Sequence, residues 1–293
     1  MTDIILLDGG MGQELVHRAG DKPTPLWSTQ VMLDHPGLVT AVHADYRDAG
    51  ATVHTTNTYT IHHDRLKGTG LEGQFTALHM AAIKEAADAG VLAGAIGPLI
   101  ASYRPDIHPS HDIAVPLYAE IAAILAPHVD LIICETVASI AHAKAILEAT
   151  AASGKPVWLA MTVDDSDGTR LRSGEALADV LPVAAGKAAA ILVNCASPEA
   201  ISTSMDVLAK GDLPFGAYAN GFTKITPAFL ESKPTVDALT ARKDLDPDAY
   251  AAFAMKWIGQ GATIVGGCCE VGPPHIARMA ETITAAGHQI VTP

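Results

Sequence analysis

The sequence predicts an α/β fold, a closed (β/α)8 TIM barrel in a single domain spanning residues 1–293. Three observations lead there. Short apolar runs alternate from end to end with longer Ala-rich segments of helical period, which implies parallel strands joined by right-handed crossovers. Eight such units fit within 293 residues, and one barrel of about 250 residues accounts for that length. No GxGxxG segment follows the first strand, which removes the usual reason to prefer an open dinucleotide-binding sheet.

The first strand is expected at residues 4–8, ending in Gly9-Gly10, with its helix at 36–49 closed by Gly50. The second strand, 52–59, precedes a helix at 73–89 closed by Gly90. The third, 91–96, ends in Gly97-Pro98 and leads to a helix at 114–125. The fourth, 130–135, is followed by 140–152, closed by Gly154. The remaining pairs are 156–163 with 175–185, 189–195 with 198–209, 214–219 with 247–260, and 263–265 with 273–286. The least regular stretches, 19–34, 100–112 and 221–246, all follow strand ends. In a barrel that is the face that carries the active site.

Composition narrows the function. Nineteen basic against 32 acidic residues give a formal charge of −13, which argues against nucleic acid or an anionic membrane as partner. No basic residues precede the apolar run near the N-terminus, and no stretch approaches about 20 uninterrupted apolar residues. A cytoplasmic protein acting on small molecules is expected. Four cysteines, at 134, 195, 268 and 269, are too few for a disulfide scaffold and point to metal or catalytic use in a reducing compartment.

Unusual residues gather at the strand ends: Asp8, Asn57, Glu135, Asn194 with Cys195, Asn220, and Cys268 with Cys269. Adjacent strand residues point to opposite faces, so Cys268 and Cys269 can meet one ion only if the backbone turns. Gly266 and Gly267 are expected to supply that freedom. Strands six and eight are separated by one strand, which lets Cys195 approach the pair across the mouth. Three thiolates suit zinc and leave a fourth position open. The same cysteines also fit buried packing, and Cys268–Cys269 a vicinal disulfide that a reducing cytosol disfavours. Cys134 is expected to be packing. Asp8 and Glu135 suit general acid and base roles, anchorage of a substrate amine, or capping of a helix N-terminus. None of the 13 histidines forms HExxH.

Several segments then resemble the homocysteine S-methyltransferases. They are LLDGGMGQEL at 6–15, PLWST at 25–29, HPGLVTAVHADYRDAGA at 35–51, TTNTY at 55–59, CET at 134–136, VNCASP at 193–198 and VGGCCEVGPPHIARM at 265–279. The resemblance runs nearly the whole length. It implies a Zn2+ site on Cys195, Cys268 and Cys269. It also implies homocysteine amino-group contacts at Glu135 and Asp8, with Asn194, Asn57 and Asn220 at matching strand ends. The implied reaction is methyl transfer from a sulfonium donor, S-methylmethionine or S-adenosylmethionine, to homocysteine, giving methionine. Betaine or another onium donor is the alternative, as is a zinc- or thiol-binding barrel without transfer. A metal-free lyase or hydrolase using Asp8 and Glu135 is a further reading of the residues. The segments 100–112 and 221–246 are where donor specificity is expected.

Overall fold

The computed structural model describes residues 2–20, 24–230 and 238–293. The parts of the irregular stretches 19–34 and 221–246 that fall at 21–23 and 231–237 lie outside the described residues.

Among the described residues, nine strands make one sheet. They are β1 (Asp3–Leu6), β2 (Val53–Thr55), β3 (Val91–Ile96), β4 (Leu131–Val137), β5 (Val157–Met161), β6 (Ala190–Asn194), β7 (Phe215–Ala219), β8 (Ile264–Gly267) and β9 (Gln289–Val291). Their order is β2-β3-β4-β5-β6-β7-β8-β1-β9, and every pairing is parallel. The barrel closes where β1 runs past β9. The upper end of β1 meets β2 through a parallel bridge at Leu7 and Val53. There the Asp8 amide donates to Val53 O at 3.0 Å and the Thr52 amide to Leu6 O at 2.7 Å. The ninth strand fills the lower end of the same seam, and the Thr52 hydroxyl donates to Val291 O at 2.9 Å. Three residues long, β9 was not expected from the sequence.

The helices are α1 (Met11–Ala19), α2 (Ser28–Asp34), α3 (Leu38–Asp48), α4 (His63–Leu66), α5 (Phe75–Ala86), α6 (His111–Leu125), α7 (Ile140–Thr150), α8 (Leu181–Ala184), α9 (Pro198–Leu208), α10 (Pro247–Gly259) and α11 (Pro273–Ala285). Side-chain caps set three starts. Ser139, Ser197 and Asp246 accept from the amides of His142, Ala200 and Ala249, and each such cap contributes about 1 kcal/mol.

Two layers of apolar side chains follow from strand alternation. Leu131 and Ile133 of β4 point into the barrel with Trp158, Ala160 and Leu192, while Ile132 and Cys134 face the helices. That parity places the next inward position, Glu135, at the mouth. Small residues such as Ala93, Ala95 and Ala190 leave room for the Trp158 indole.

Three expectations need correction. Helix α1 fills residues just ahead of the irregular stretch 19–34, where no helix is expected, and α2 takes Ser28–Asp34 out of that stretch itself. Gly12 lowers the helix propensity of α1, yet it is required, because a Cβ there would sit 2.4 Å from the Trp27 ring. The fifth helix, expected over 175–185, shrinks to a 3-10 turn at Leu177–Val180 and the four residues of α8. The segment before it forms antiparallel bridges, Val163 with Leu171 and Arg170 with Ala176. The second strand ends at Thr55 rather than 59, because Thr58 turns to donate its hydroxyl to Ala95 O at 2.6 Å.

Candidate active site at the barrel mouth

A cavity of about 660 Å³ opens at the C-terminal ends of the strands. Asp8, Asn57, Glu135, Asn194 and all three of Cys195, Cys268 and Cys269 line it; Asn220 does not. The Asn220 side chain instead accepts the Phe222 amide at 3.1 Å and shapes the loop behind the wall. Cys134 is fully buried among the outer-layer apolar residues, as packing.

The three cysteine sulfurs lie within 4.8 Å of one another. Cys195 and Cys268 are joined as a disulfide, and Cys269 is free. The convergence has three backbone causes. Cys195, just beyond β6, adopts a left-handed φ of 50° that swings it inward. Its amide donates to Tyr218 O of β7 at 3.2 Å, and the Cys268 amide donates to Ala219 O at 2.9 Å, so β7 gauges the span between them. A turn follows in which the Val271 amide returns to Cys268 O at 3.1 Å, with Glu270 at φ 64°.

Gly266 and Gly267 do not act as the sequence suggested. Neither has a positive φ. They are glycine because of close approach: a Cβ on Gly266 would lie 2.5 Å from the Leu7 side chain, and one on Gly267 2.2 Å from that of Val271.

The carboxylates come from two places on the rim: Asp8 follows β1, the partner strand of β8, and Glu135 lies near the end of β4. Asp8 is buried and accepts from the Thr55 amide at 2.8 Å and from the Thr55 hydroxyl at 3.1 Å. Burial still raises its pKa well above the usual carboxylate value, although the Thr55 bonds act downward, and nearby Glu135 adds to the rise. The imidazoles of His43 and His54 cluster with Asp8, their ligand atoms within 4.8 Å of one another. Burial pushes these down to about 3 and about 4, so both are neutral and leave Asp8 without a counter-charge from them. Glu135 is pushed up to about 7 by burial, offset in part by the Tyr218 hydroxyl, which donates to it at 3.0 Å. Neither carboxylate caps a helix: the N-cap of α1 is Gly10, with no side-chain cap, and that of α7 is Ser139.

Asn194 acts on the backbone. Its Oδ1 accepts the Thr136 amide at 3.0 Å and its Nδ2 donates to the Thr136 hydroxyl at 3.2 Å. This holds Thr136 at φ 58°, next to Glu135. Asn57 donates to Ser28 O at 3.3 Å and ties the end of β2 to α2. Sequence reasoning did not single out Tyr218 or the aromatic wall of Trp27, Tyr59, Tyr103 and Phe229 that borders the cavity. Aromatic spacing gave no sign of it, because the rings come from separate loops.

Burial also pushes the Cys269 thiol up to about 12, with Glu270 and Glu135 adding to the rise. The protein alone therefore keeps this thiol protonated. Three sulfurs in mutual reach form a donor set that fits a thiophilic divalent cation once the Cys195–Cys268 bond is reduced.

A parallel barrel with thiols and carboxylates converging on one mouth cavity defines a barrel enzyme acting on a small molecule. The sequence profile of the homocysteine S-methyltransferase family matches residues 5–283. A homocysteine S-methyltransferase from Escherichia coli is 30% identical over 302 residues, covering 94% of each chain. The crystal structure of the E. coli homocysteine methyltransferase MmuM in its metallated form superimposes with a TM-score of 0.80 at 27% identity, covering 96% of each chain. Its oxidized form gives 0.78 at 28%, again covering 96% of each. The chain belongs to the homocysteine S-methyltransferase family, enzymes that transfer a methyl group to homocysteine. Among the described residues, no helix is long and apolar enough to cross a membrane.

Proposed function

We propose that this enzyme, acting in the cytoplasm as one barrel domain over residues 1–293, moves a methyl group from a sulfonium donor to the thiolate of L-homocysteine with the help of Zn2+. The donor is S-methylmethionine or S-adenosylmethionine, and the product is methionine. The observation that carries this reading is the meeting of three cysteine sulfurs with the buried Asp8 and the half-buried Glu135 in a single mouth cavity.

Cys195, Cys268 and Cys269 would hold the ion after two-electron reduction of the Cys195–Cys268 bond. Bound there, zinc supplies the charge that lowers a thiol pKa from about 8.5 and keeps the substrate sulfur as thiolate. Three thiolates on a divalent ion carry a net charge of −1, or −2 with the substrate thiolate, which favours a cationic donor. Glu135 and Asp8 take the homocysteine ammonium, and its binding draws both back to their ionised forms. Tyr218 orients the Glu135 carboxylate from β7. Asn194 fixes the backbone that follows Glu135. The aromatic wall excludes water and offers ring faces to the sulfonium. The homocysteine lone pair forms the new C–S bond as the donor's methyl–sulfur bond breaks. The bonding pair leaves with the donor sulfur as a neutral thioether, so no general acid is needed.

The test is a donor panel with reduced, zinc-assayed protein: S-methylmethionine, S-adenosylmethionine, betaine and dimethylsulfoniopropionate, each with homocysteine. Methionine from a sulfonium donor, together with bound zinc, is the expected result. Protein that holds no zinc under reducing conditions would sink the metal mechanism. Methionine from betaine alone would reassign the donor.

A further inference from the structure

Two arginines line the mouth cavity, and they differ in their commitments. Arg104 is locked to Asp106 by two 2.7 Å hydrogen bonds. Arg65, on α4, has no hydrogen bond or carboxylate ion pair among the described residues, and its Nε is buried without an acceptor. The half-buried Arg65 thus lines the cavity with its guanidinium uncommitted, and a ligand carboxylate is the partner that suits it. Its neighbour Asp64 lines the same cavity, is exposed, and likewise has no partner among the described residues. A positive and a negative group thus line the cavity from one short helix. The thiols, Asp8 and Glu135 take the other positions on its wall.

We propose that Arg65 and Asp64 grip the amino-acid end of the methyl donor, Arg65 its α-carboxylate and Asp64 its ammonium. They thereby select an α-amino-acid sulfonium over donors that lack an amine. This rests on the transfer reading above and specifies its donor class. A guanidinium is suited to the carboxylate because its planar fork matches both oxygens. The acceptor amino acid has its own acidic contacts in Asp8 and Glu135, so two amino-acid termini can be held in one cavity without competing for the same charges. Betaine and dimethylsulfoniopropionate would satisfy Arg65 and leave Asp64 without a partner. Trimethylsulfonium would engage neither.

The experiment is equilibrium binding by calorimetry to the reduced, zinc-loaded enzyme, with S-methylmethionine, dimethylsulfoniopropionate and trimethylsulfonium as probes. Arg65→Gln should weaken S-methylmethionine and dimethylsulfoniopropionate about tenfold or more. Asp64→Asn should weaken only S-methylmethionine, by about threefold, as suits an exposed charge. Trimethylsulfonium and homocysteine should shift less than twofold in both variants. Arg65→Lys, which keeps the charge, should recover part of the loss and guards against a variant that merely misfolds. Equal S-methylmethionine affinity in wild type and Arg65→Gln would overturn the proposal, as would a parallel loss for trimethylsulfonium. If S-methylmethionine binds through Arg65 but yields no methionine, the transfer reading fails and this assignment stands.

Discussion

The two ends of the barrel solve the problem of turning the chain with different residues. Below the strands, where helices return to the sheet, the left-handed positions are glycines: Gly50, Gly90, Gly154, Gly186, Gly261 and Gly287. Above the strands, glycines such as Gly68, Gly70 and Gly174 share the left-handed positions with residues that carry side chains. Among the described residues, all six positive-φ residues with side chains, Trp27, Ile100, Tyr103, Thr136, Cys195 and Glu270, fall here, at or beyond the upper strand ends. A left-handed non-glycine residue costs about 1–2 kcal/mol. The lower end avoids that cost. The upper end accepts it where a side chain must be aimed, as at Cys195, or backbone must be held beside a functional group, as at Thr136. Strain concentrated at one end of an otherwise regular barrel is the pattern expected of a site assembled on a rigid frame.

The sharpest way to break this comparison is to remove one of the converging sulfurs. Cys268→Ala should lose bound zinc and lower transfer by about 10³-fold or more, the equivalent of several kcal/mol of lost charge stabilisation. Zinc is assayed by atomic absorption and transfer by methionine formation. The fold should survive, since Cys268 only borders the inner apolar layer. Wild-type activity in this variant would remove the thiols from the chemistry.

A smaller effect tests the carboxylate side by pH. Glu135 titrates at about 7 in the folded protein, above the ordinary carboxylate value, because burial disfavours its charge. An ammonium ligand binds the ionised form, so binding releases a proton below that pKa and affinity rises as pH increases through 7, then levels. Norleucine reports this without a thiol to titrate. Its affinity should rise about tenfold between pH 6 and pH 8, and Glu135→Gln should remove the part of the rise centred on pH 7, leaving only what Asp8 contributes. Tyr218→Phe removes the hydrogen bond that lowers the Glu135 pKa, so the midpoint should move upward. A flat profile in the wild type would take the amine away from Glu135.

Thr136→Gly probes the strain itself. The variant relaxes the φ of 58° and keeps the amide bond to Asn194 Oδ1, while the 3.2 Å bond from Asn194 Nδ2 is lost. The two changes oppose each other, so stability should shift by less than about 1 kcal/mol. The homocysteine KM should rise by about threefold as Glu135 loses its fixed neighbour. An unchanged KM would mean that the left-handed turn at this strand end is incidental to the site.

The same contrast explains what was legible in the sequence. The lower end was readable because glycine after an apolar helical pattern has one dominant meaning, and the closures at Gly50, Gly90 and Gly154 fall where that rule puts them. The strands were readable from their β-branched and apolar runs, with β9 too short to register. At the mouth, the cysteines and carboxylates stood out by residue type at strand ends. What they touch did not. Tyr218 reaches Glu135 across 83 residues and Thr55 reaches Asp8 across 47, and no local pattern encodes such pairs. The role of Gly266 and Gly267 was misread for a related reason. Their smallness answers to Leu7 and Val271, neighbours in space that only the closed barrel brings near. Asn220 carries a strand-end position like the others, yet it serves its own loop.

The smallest expected effect lies at the quiet end. Gly154 sits at φ 68° with no atom within 4 Å of an added Cβ, so Gly154→Ala meets only the cost of the left-handed dihedral. Stability should fall by about 1 kcal/mol, a drop of about 2 °C in Tm. Because the turn precedes β5 at the end remote from the cavity, kcat/KM for methyl transfer and the affinity for norleucine should stay at wild-type values. Thermal unfolding by circular dichroism and the methionine assay on the same preparation give both numbers. A kinetic loss without a larger loss of stability would show that the lower turns help position the mouth, and the division between a frame that only supports and a face that only acts would have to be abandoned.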